Sequence, residues 1–558
     1  MRLRKGSAGD PGNEPGGTEG ELELRRDVTV WGSFMWGYAD VGANSFVALG
    51  LVLAAAQGAG SLAFALAGLV YILIGLAYTE LASAYPVAGG GPYFALRGLG
   101  DFWGFVAGSA LLLDYTIDIA LFAAASAGYV NYFLPFFTGY RIEELAVTLG
   151  PLQGVNWFWC LQTLILIGFL IWLNIRGVKE SSRFNEVIGA LIILTEVALV
   201  VAGFVLAWKP ELLAHQWKNE FPSLHNFMYG SSLAILSFIG LESISQAAQE
   251  TRRPAAIVPR TSIALIFSVF IFATAFSTLG LGVLNWQIFA QRQGDPMAAV
   301  AHAIPYVGAI AGPFIAAMGA LILLISSNTG VMGASRLTYS MSEFHLISRW
   351  FHAVHPRYRT PVRTILVFSL IGAIQTVLSF LTPNAMDTLG NMYAFGATLG
   401  YTLVFISLIK LRFSDPYTPR PYRMPLNLKV KWKDRKVALP ILGILGMLGV
   451  LLILFEVILT HTIGRIAGPT WILLCFIYYA WYRKRERLPI FRSVSRNWER
   501  EQIKVLESAE EYELLEEYKL ALAGKEKGSK GNGPSLVGSP LGVQAGSSKK
   551  EEGGGGEP

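Results

Sequence analysis

Trp36-Gly37-Tyr38-Ala39-Asp40-Val41-Gly42-Ala43-Asn44-Ser45 interrupts an apolar run with an acid, an amide and several small residues. A second interruption, Ser237-Phe238-Ile239-Gly240-Leu241-Glu242-Ser243, recurs later in the chain. A bilayer offers no hydrogen-bond partners to freed backbone groups, so such breaks survive only where they are buried in protein or line a cavity. Paired breaks at corresponding places in two halves of a polytopic chain point to a transporter's central binding site. An isolated glycine in such a helix also permits close helix packing. Two breaks, each beside a carboxylate, favour the binding-site reading.

The composition agrees with a membrane protein. Hydrophobic residues make up 53% and charged residues 15% of the 558 residues, with a mean hydropathy of +0.45. Soluble domains carry about 25% charged residues. Apolar runs of about 20 residues, enough to cross about 30 Å of hydrocarbon, recur along most of the chain. The net charge of +6 sits in loops between those runs, a placement that speaks for membrane topology and against a nucleic-acid partner. Cys160 and Cys475 both lie in apolar runs, which leaves no disulfide framework. The histidines lack metal-ligand spacing, and no Walker, GxGxxG or Ser-His-Asp context is present. The chain is therefore expected to be no enzyme and to hold no metal or cofactor.

The sequence predicts an all-α membrane protein of twelve transmembrane helices, over roughly 28–56, 61–84, 101–135, 155–174, 185–208, 227–249, 260–283, 309–341, 363–382, 391–411, 438–460 and 467–482. Residues 1–27 read as a disordered cytoplasmic tail and 28–485 as the transporter domain. Residues 486–523 read as a cytoplasmic helical segment, with Ile503, Leu506, Leu514, Leu515 and Tyr518 as its apolar stripe, and 524–558 as a second disordered tail. Loops after even-numbered spans hold twenty lysines and arginines, against five in the odd loops. That asymmetry predicts a multi-pass protein of the cell membrane with both termini in the cytoplasm.

Five carboxylates fall inside the spans: Asp40, Asp114, Asp118, Glu196 and Glu242. Each costs about 2.5–3.5 kcal/mol at mid-bilayer, so they must line a wet cavity, be neutralised or be paired. Asp114 and Asp118, four apart, share one helix face beside Tyr115; two like charges so close resist joint ionisation, which suits a cation or proton relay. Asp114, Asp118 and Glu242 also have a structural reading, as acceptors that cap a broken helix. The candidate substrate-binding residues are Asp40, Gly42, Ala43, Asn44, Asp114, Tyr115, Asp118, Ser237, Phe238, Gly240 and Glu242. Candidate ion-coupling residues are Asp118, Glu196, Ser326 and Ser327, the last two within Ser326-Ser327-Asn328-Thr329. Their hydroxyl oxygens suit Na⁺, although interhelical hydrogen bonding explains such a cluster equally.

Four motifs resemble the amino acid–polyamine–organocation superfamily of secondary transporters, amino acid permease type. They are Glu80-Leu81-Ala82-Ser83-Ala84-Tyr85-Pro86-Val87-Ala88-Gly89-Gly90-Gly91-Pro92-Tyr93; Asn174-Ile175-Arg176-Gly177-Val178-Lys179-Glu180-Ser181; Phe238-Ile239-Gly240-Leu241-Glu242 running into Glu250-Thr251-Arg252-Arg253-Pro254 and Ile257-Val258-Pro259-Arg260; and Ser335-Arg336-Leu337-Thr338-Tyr339-Ser340-Met341. The resemblance implies a LeuT-type fold, with spans 1–5 and 6–10 as two inverted repeats, broken helices 1 and 6 around the site, and spans 11 and 12 peripheral. In the superfamily's amino acid transporters, the amides of a span-one Gly-x-Gly stretch hold the substrate carboxylate. Here that stretch reads Val41-Gly42-Ala43-Asn44-Ser45, with Asp40 before it, and an aspartate there repels a substrate carboxylate unless it is neutralised. The span-five lysine that replaces sodium in some proton-coupled members is absent, since Thr195-Glu196 follows an aliphatic run.

These readings converge on a permease of amino acids or related amines, coupled to H⁺ or Na⁺ and working by alternating access. Proton-coupled potassium uptake is the alternative, because Asp40, Asp114-Tyr115 and Asp118 are similar to the acids and tyrosine of the superfamily's potassium branches. A channel or a membrane-embedded enzyme is less favoured.

Overall fold

The computed structural model describes residues 30–529 apart from residues 88, 150–151, 177–181, 249–250, 252, 359 and 433–434. The tail at 1–27, the chain from 530 onward and parts of three quoted motifs lie outside the described residues.

The first apolar run is two helices, α1 (Val30–Val41) and α2 (Asn44–Ala56), and Gly42-Ala43 forms the turn between them. It is followed by α3 (Gly60–Ala84), α4 (Gly90–Leu99), α5 (Asp101–Val130), α6 (Trp157–Arg176) and α7 (Ser182–Ala202). The second interruption separates α8 (Leu224–Leu233) from α9 (Glu242–Ala247). Between them runs a tight 3₁₀ turn over Ala234–Phe238, then extended Ile239, then Gly240 at φ 109°. Only glycine adopts that φ without strain, so this residue sets where the second helix stops. Next are α10 (Pro254–Val283), α11 (Gly308–Glu343), α12 (Val362–Phe380), α13 (Ala385–Ser414), α14 (Ile441–Thr460) and α15 (Gly464–Arg485).

By length and hydropathy, nine helical stretches among the described residues can cross a membrane. The sequence predicts twelve, and three features account for the difference. Residues 30–84 form one continuous stretch, the second interruption leaves pieces of 10 and 6 residues, and α15 is bounded by Arg465 and Arg483-Lys484-Arg485. Helices α6 and α14 turn large apolar side chains outward, among them Leu161, Ile165, Leu448, Leu452 and Phe455. Bands of that kind suit hydrocarbon, since soluble monomers rarely expose contiguous apolar patches of more than a few hundred Å². The all-α expectation needs one correction. Two small antiparallel hairpins occur, Val147–Leu149 with Leu152–Val155 and Asn427–Trp432 with Arg435–Pro440. In the second, Lys429-Val430-Lys431-Trp432 alternates polar and apolar residues, a strand period that its cluster of charges masked.

The segment after α15 folds into α16 (Trp498–Ser508) and α17 (Tyr512–Ser529), so helix continues past the expected boundary at 523. Leu506, Leu515 and Tyr518 form a buried cluster with Tyr417. Polar ties are more extensive than a helix resting on a surface would need. Asp101 at the start of α5, its side chain fully buried, pairs with Arg483 at 3.0 Å and with Arg496. Gln502 donates to the Ala84 carbonyl at 3.0 Å and accepts from Arg97 at 2.8 Å. Glu511 accepts from the Ala255 amide at 2.9 Å, on the first turn of α10. Arg97 also pairs with Asp415 at 2.7 Å. Burial raises the Asp415 carboxyl, but Arg97, Thr418 and Arg420 outweigh it and hold the group below the usual carboxylate range. A depressed carboxyl stabilises above its unfolded pKa of about 3.9 and loses that contribution only as pH falls through the lower folded value. This tie is therefore intact at neutral pH.

Asp101→Asn leaves the buried Arg483 guanidinium without its counter-charge. Breaking such a pair costs about 3–5 kcal/mol, so the variant is expected to lose monodispersity in detergent at a clearly lower temperature than the parent. An unchanged melting profile would show that the tie contributes nothing.

Candidate functional site

The two interruptions meet. Asn44, at the start of α2, donates through Nδ2 to the Ile239 carbonyl at 2.7 Å, a backbone acceptor that the second break leaves free. The Asp40 carboxylate spans the same gap. Its Oδ2 lies 2.9 Å from where a Cβ on Gly240 would stand, and its Oδ1 accepts from the Thr329 hydroxyl of α11 at 2.7 Å. Gly42 leaves room on the other side, because a Cβ there would come within 2.6 Å of the Tyr38 carbonyl.

Helix α5 brings Asp114 and Asp118 to the gap, and α9 brings Glu242. Each of Asp40, Asp114, Asp118 and Glu242 is an electrostatic neighbour of the other three. Asp118 approaches α11 so closely that a Cβ on Gly330 would lie 2.8 Å from its own Cβ. Glu242 accepts from Tyr401 at 3.2 Å, and Tyr393 hydrogen-bonds Asp118. Neither oxygen of Asp114 meets a donor in hydrogen-bonding geometry, although Glu242 stands next to it. Among the described residues, no lysine, arginine or histidine faces the four acids. Exposures of 4%, 0%, 2% and 1% for Asp40, Asp114, Asp118 and Glu242 put the cluster out of reach of water from either end. The gap is occluded.

Aromatic rings close the walls. Phe238 stacks on Tyr71 at 4.9 Å, and Tyr78 meets Tyr401 edge-on at 6.0 Å. Tyr115 packs against α11, its ring 2.6 Å from where a Cβ on Gly333 would lie. The Ser237, Ser243 and Ser326 hydroxyls are buried without a partner. Ala43 is fully buried and takes part in the first turn.

The amino acid permease family matches residues 29–481, a span that contains both interruptions and all four acids. The chain belongs to that family. It is 28% identical over 418 residues to the branched-chain amino acid permease BcaP of Bacillus subtilis, covering 73% of this chain and 85% of that protein. The methylthioribose transporter of the same organism is 26% identical over 392 residues, covering 69% and 80%. Human cationic amino acid transporter 4 is 28% identical over 419 residues, covering 72% and 62%. The family and its apolar helices make this chain a multi-pass membrane protein of a transporter class.

In this family member, two of the expected ion-coupling residues sit apart from the acid cluster. The Ser327 hydroxyl donates to the Ile119 carbonyl at 2.9 Å, tying α11 to α5, which is the interhelical reading of that cluster. Asn328 accepts from Asn174 at 2.6 Å and joins α11 to α6. Glu196 of α7 takes the Tyr38 hydroxyl as its partner, one turn before the first break. The sequence reading had no role for Thr329 at the site and overlooked Tyr38, Tyr71, Tyr78, Tyr393 and Tyr401. A signal existed for four of these: Tyr71 and Tyr78 are seven apart in α3, and Tyr393 and Tyr401 eight apart in α13, so each pair shares one helix face.

Proposed function

We propose that this protein is a secondary active transporter of amino acids or related amines, with its solute site where the two broken helices face each other. The observation that carries the reading is the Asp40 carboxylate lying against Gly240, which brings both breaks and three further acids into one sealed pocket. Freed backbone groups, orphaned hydroxyls and aromatic walls are what a polar solute needs at membrane depth. A sealed pocket fits the intermediate that alternating access requires between outward- and inward-open forms. The relatives' printed substrates, branched-chain and cationic amino acids and methylthioribose, support a small organic solute. The potassium alternative finds no support among them.

Counting α1–α2 and α8–α9 each as one broken span, and adding α15 to the long helices, supports twelve crossings arranged as five plus five plus two. Positive charge in the even loops supports a cell-membrane protein with both termini in the cytoplasm. H⁺ or Na⁺ is the coupling ion in this reading. Asp118 and the Glu196–Tyr38 pair are the proton-carrying candidates; Ser326 is the hydroxyl candidate for sodium.

The test is uptake by proteoliposomes of the full chain, with labelled amino acids, amines and rubidium under imposed H⁺ or Na⁺ gradients. Saturable, gradient-dependent uptake of an organic solute is expected. Rubidium uptake alone, or currents at channel rates, would overturn the reading. In the same vesicles Glu196→Gln is expected to alter the pH dependence of uptake while leaving solute affinity within about threefold, because Glu196 is removed from the acid cluster. An unchanged pH profile would remove Glu196 from coupling.

A further inference from the structure

The orphaned atoms around the gap are unbalanced in kind. Asp114 Oδ1 and Oδ2, Asp118 Oδ1, Glu242 Oε1 and Asn44 Oδ1 are all buried acceptors without a donor. The unpartnered side-chain N–H groups among the described residues belong to Arg420, His461 and Arg483, none of them beside the four acids. Buried polar groups left unmatched are costly, so the site calls for a ligand rich in N–H donors and poor in acceptors. Its charge points the same way, with four carboxylates and no basic side chain facing them. A ligand that brought its own carboxylate would add a fifth acid to that pocket.

Asp40 shows how that fifth acid is made unnecessary. Its carboxylate already occupies the opening between the breaks, held by the Thr329 hydroxyl and packed on Gly240. We propose that Asp40 supplies within the protein the carboxylate that an amino acid would bring, and that the preferred ligand is an organic amine with two or more ammonium groups and no carboxylate. One ammonium is held beside Asp40 and the others meet the orphaned oxygens of Asp114, Asp118 and Glu242. Ser237 and Ser326, buried and unpartnered near the second break and one turn before Thr329, add hydroxyl acceptors. The inference rests on the transport reading above and narrows it.

The experiment uses matched pairs in proteoliposomes of the full chain: cadaverine against lysine, agmatine against arginine, putrescine against ornithine, with leucine as a neutral zwitterion. Each amine is expected to inhibit labelled cadaverine uptake at about one tenth or less of the concentration its parent amino acid needs, and leucine is expected not to compete. Asp40→Asn should shrink that preference by about tenfold, since it removes the charge that repels a carboxylate. Thr329→Val, which frees Asp40 from its donor, should shrink it in the same direction and serves if Asp40→Asn does not fold. Lysine or leucine outcompeting cadaverine would overturn the amine preference and leave solute transport standing. An unchanged preference in both variants would overturn the role of Asp40. No saturable uptake of any solute would end the transport reading itself.

Discussion

Gly240→Val is expected to abolish solute uptake, by at least about a hundredfold. Two independent costs fall on the same atom. Gly240 sits at φ 109°, a conformation that a β-branched residue adopts only with strain of about 1–3 kcal/mol. A Cβ there would also lie 2.9 Å from Asp40 Oδ2 and 3.0 Å from its Cγ, closer than van der Waals contact allows. The carboxylate or the second break has to move, and either movement separates the two interruptions. Gly240→Ala carries the same Cβ with less bulk and is expected to retain a reduced fraction of transport. Equilibrium binding to detergent-purified protein, checked for monodispersity, reads the effect; full-affinity binding by a well-folded Gly240→Val variant would place the solute elsewhere.

Asp118→Asn is expected to lower gradient-driven uptake by about tenfold or more, with folding retained. Asparagine keeps the shape and still offers an oxygen to Tyr393, the group that hydrogen-bonds Asp118. What disappears is an ionisable group beside Asp40, Asp114 and Glu242. Solute exchange at equal concentrations on both sides, which needs no coupling ion, should suffer less than uptake against a gradient. That split separates a coupling role from a packing role. Unchanged transport and an unchanged pH profile would exclude Asp118 from the mechanism.

Both interruptions were legible as strings of residues, because Gly42 and Gly240 stand among polar side chains where a lipid-facing helix needs apolar ones. The acids were legible for the same reason, being too costly at membrane depth to be incidental. Their partners were not. Thr329 lies 289 positions from Asp40 and Tyr401 lies 159 from Glu242, and no local pattern reports contacts over such separations. Hydroxyl clusters were ambiguous in sequence, and packing divided them: Ser327 holds two helices together, whereas Ser326 remains unpartnered. The C-terminal helices show the same limit, since their amphipathic stripe was visible but the buried Asp101–Arg483 tie was not.

Hydropathy, charge placement and two misplaced glycines were enough by themselves to determine a polytopic membrane chain with a pair of broken helices. These are properties of single segments in contact with lipid, and each segment states them alone. Tertiary structure decided which groups the breaks enclose: that Asp40 rests on Gly240, that four acids gather without a base, and that Glu196 is turned away to Tyr38. Those outcomes depend on how distant helices pack against one another, and the energy of a buried charge is set by its neighbours in space.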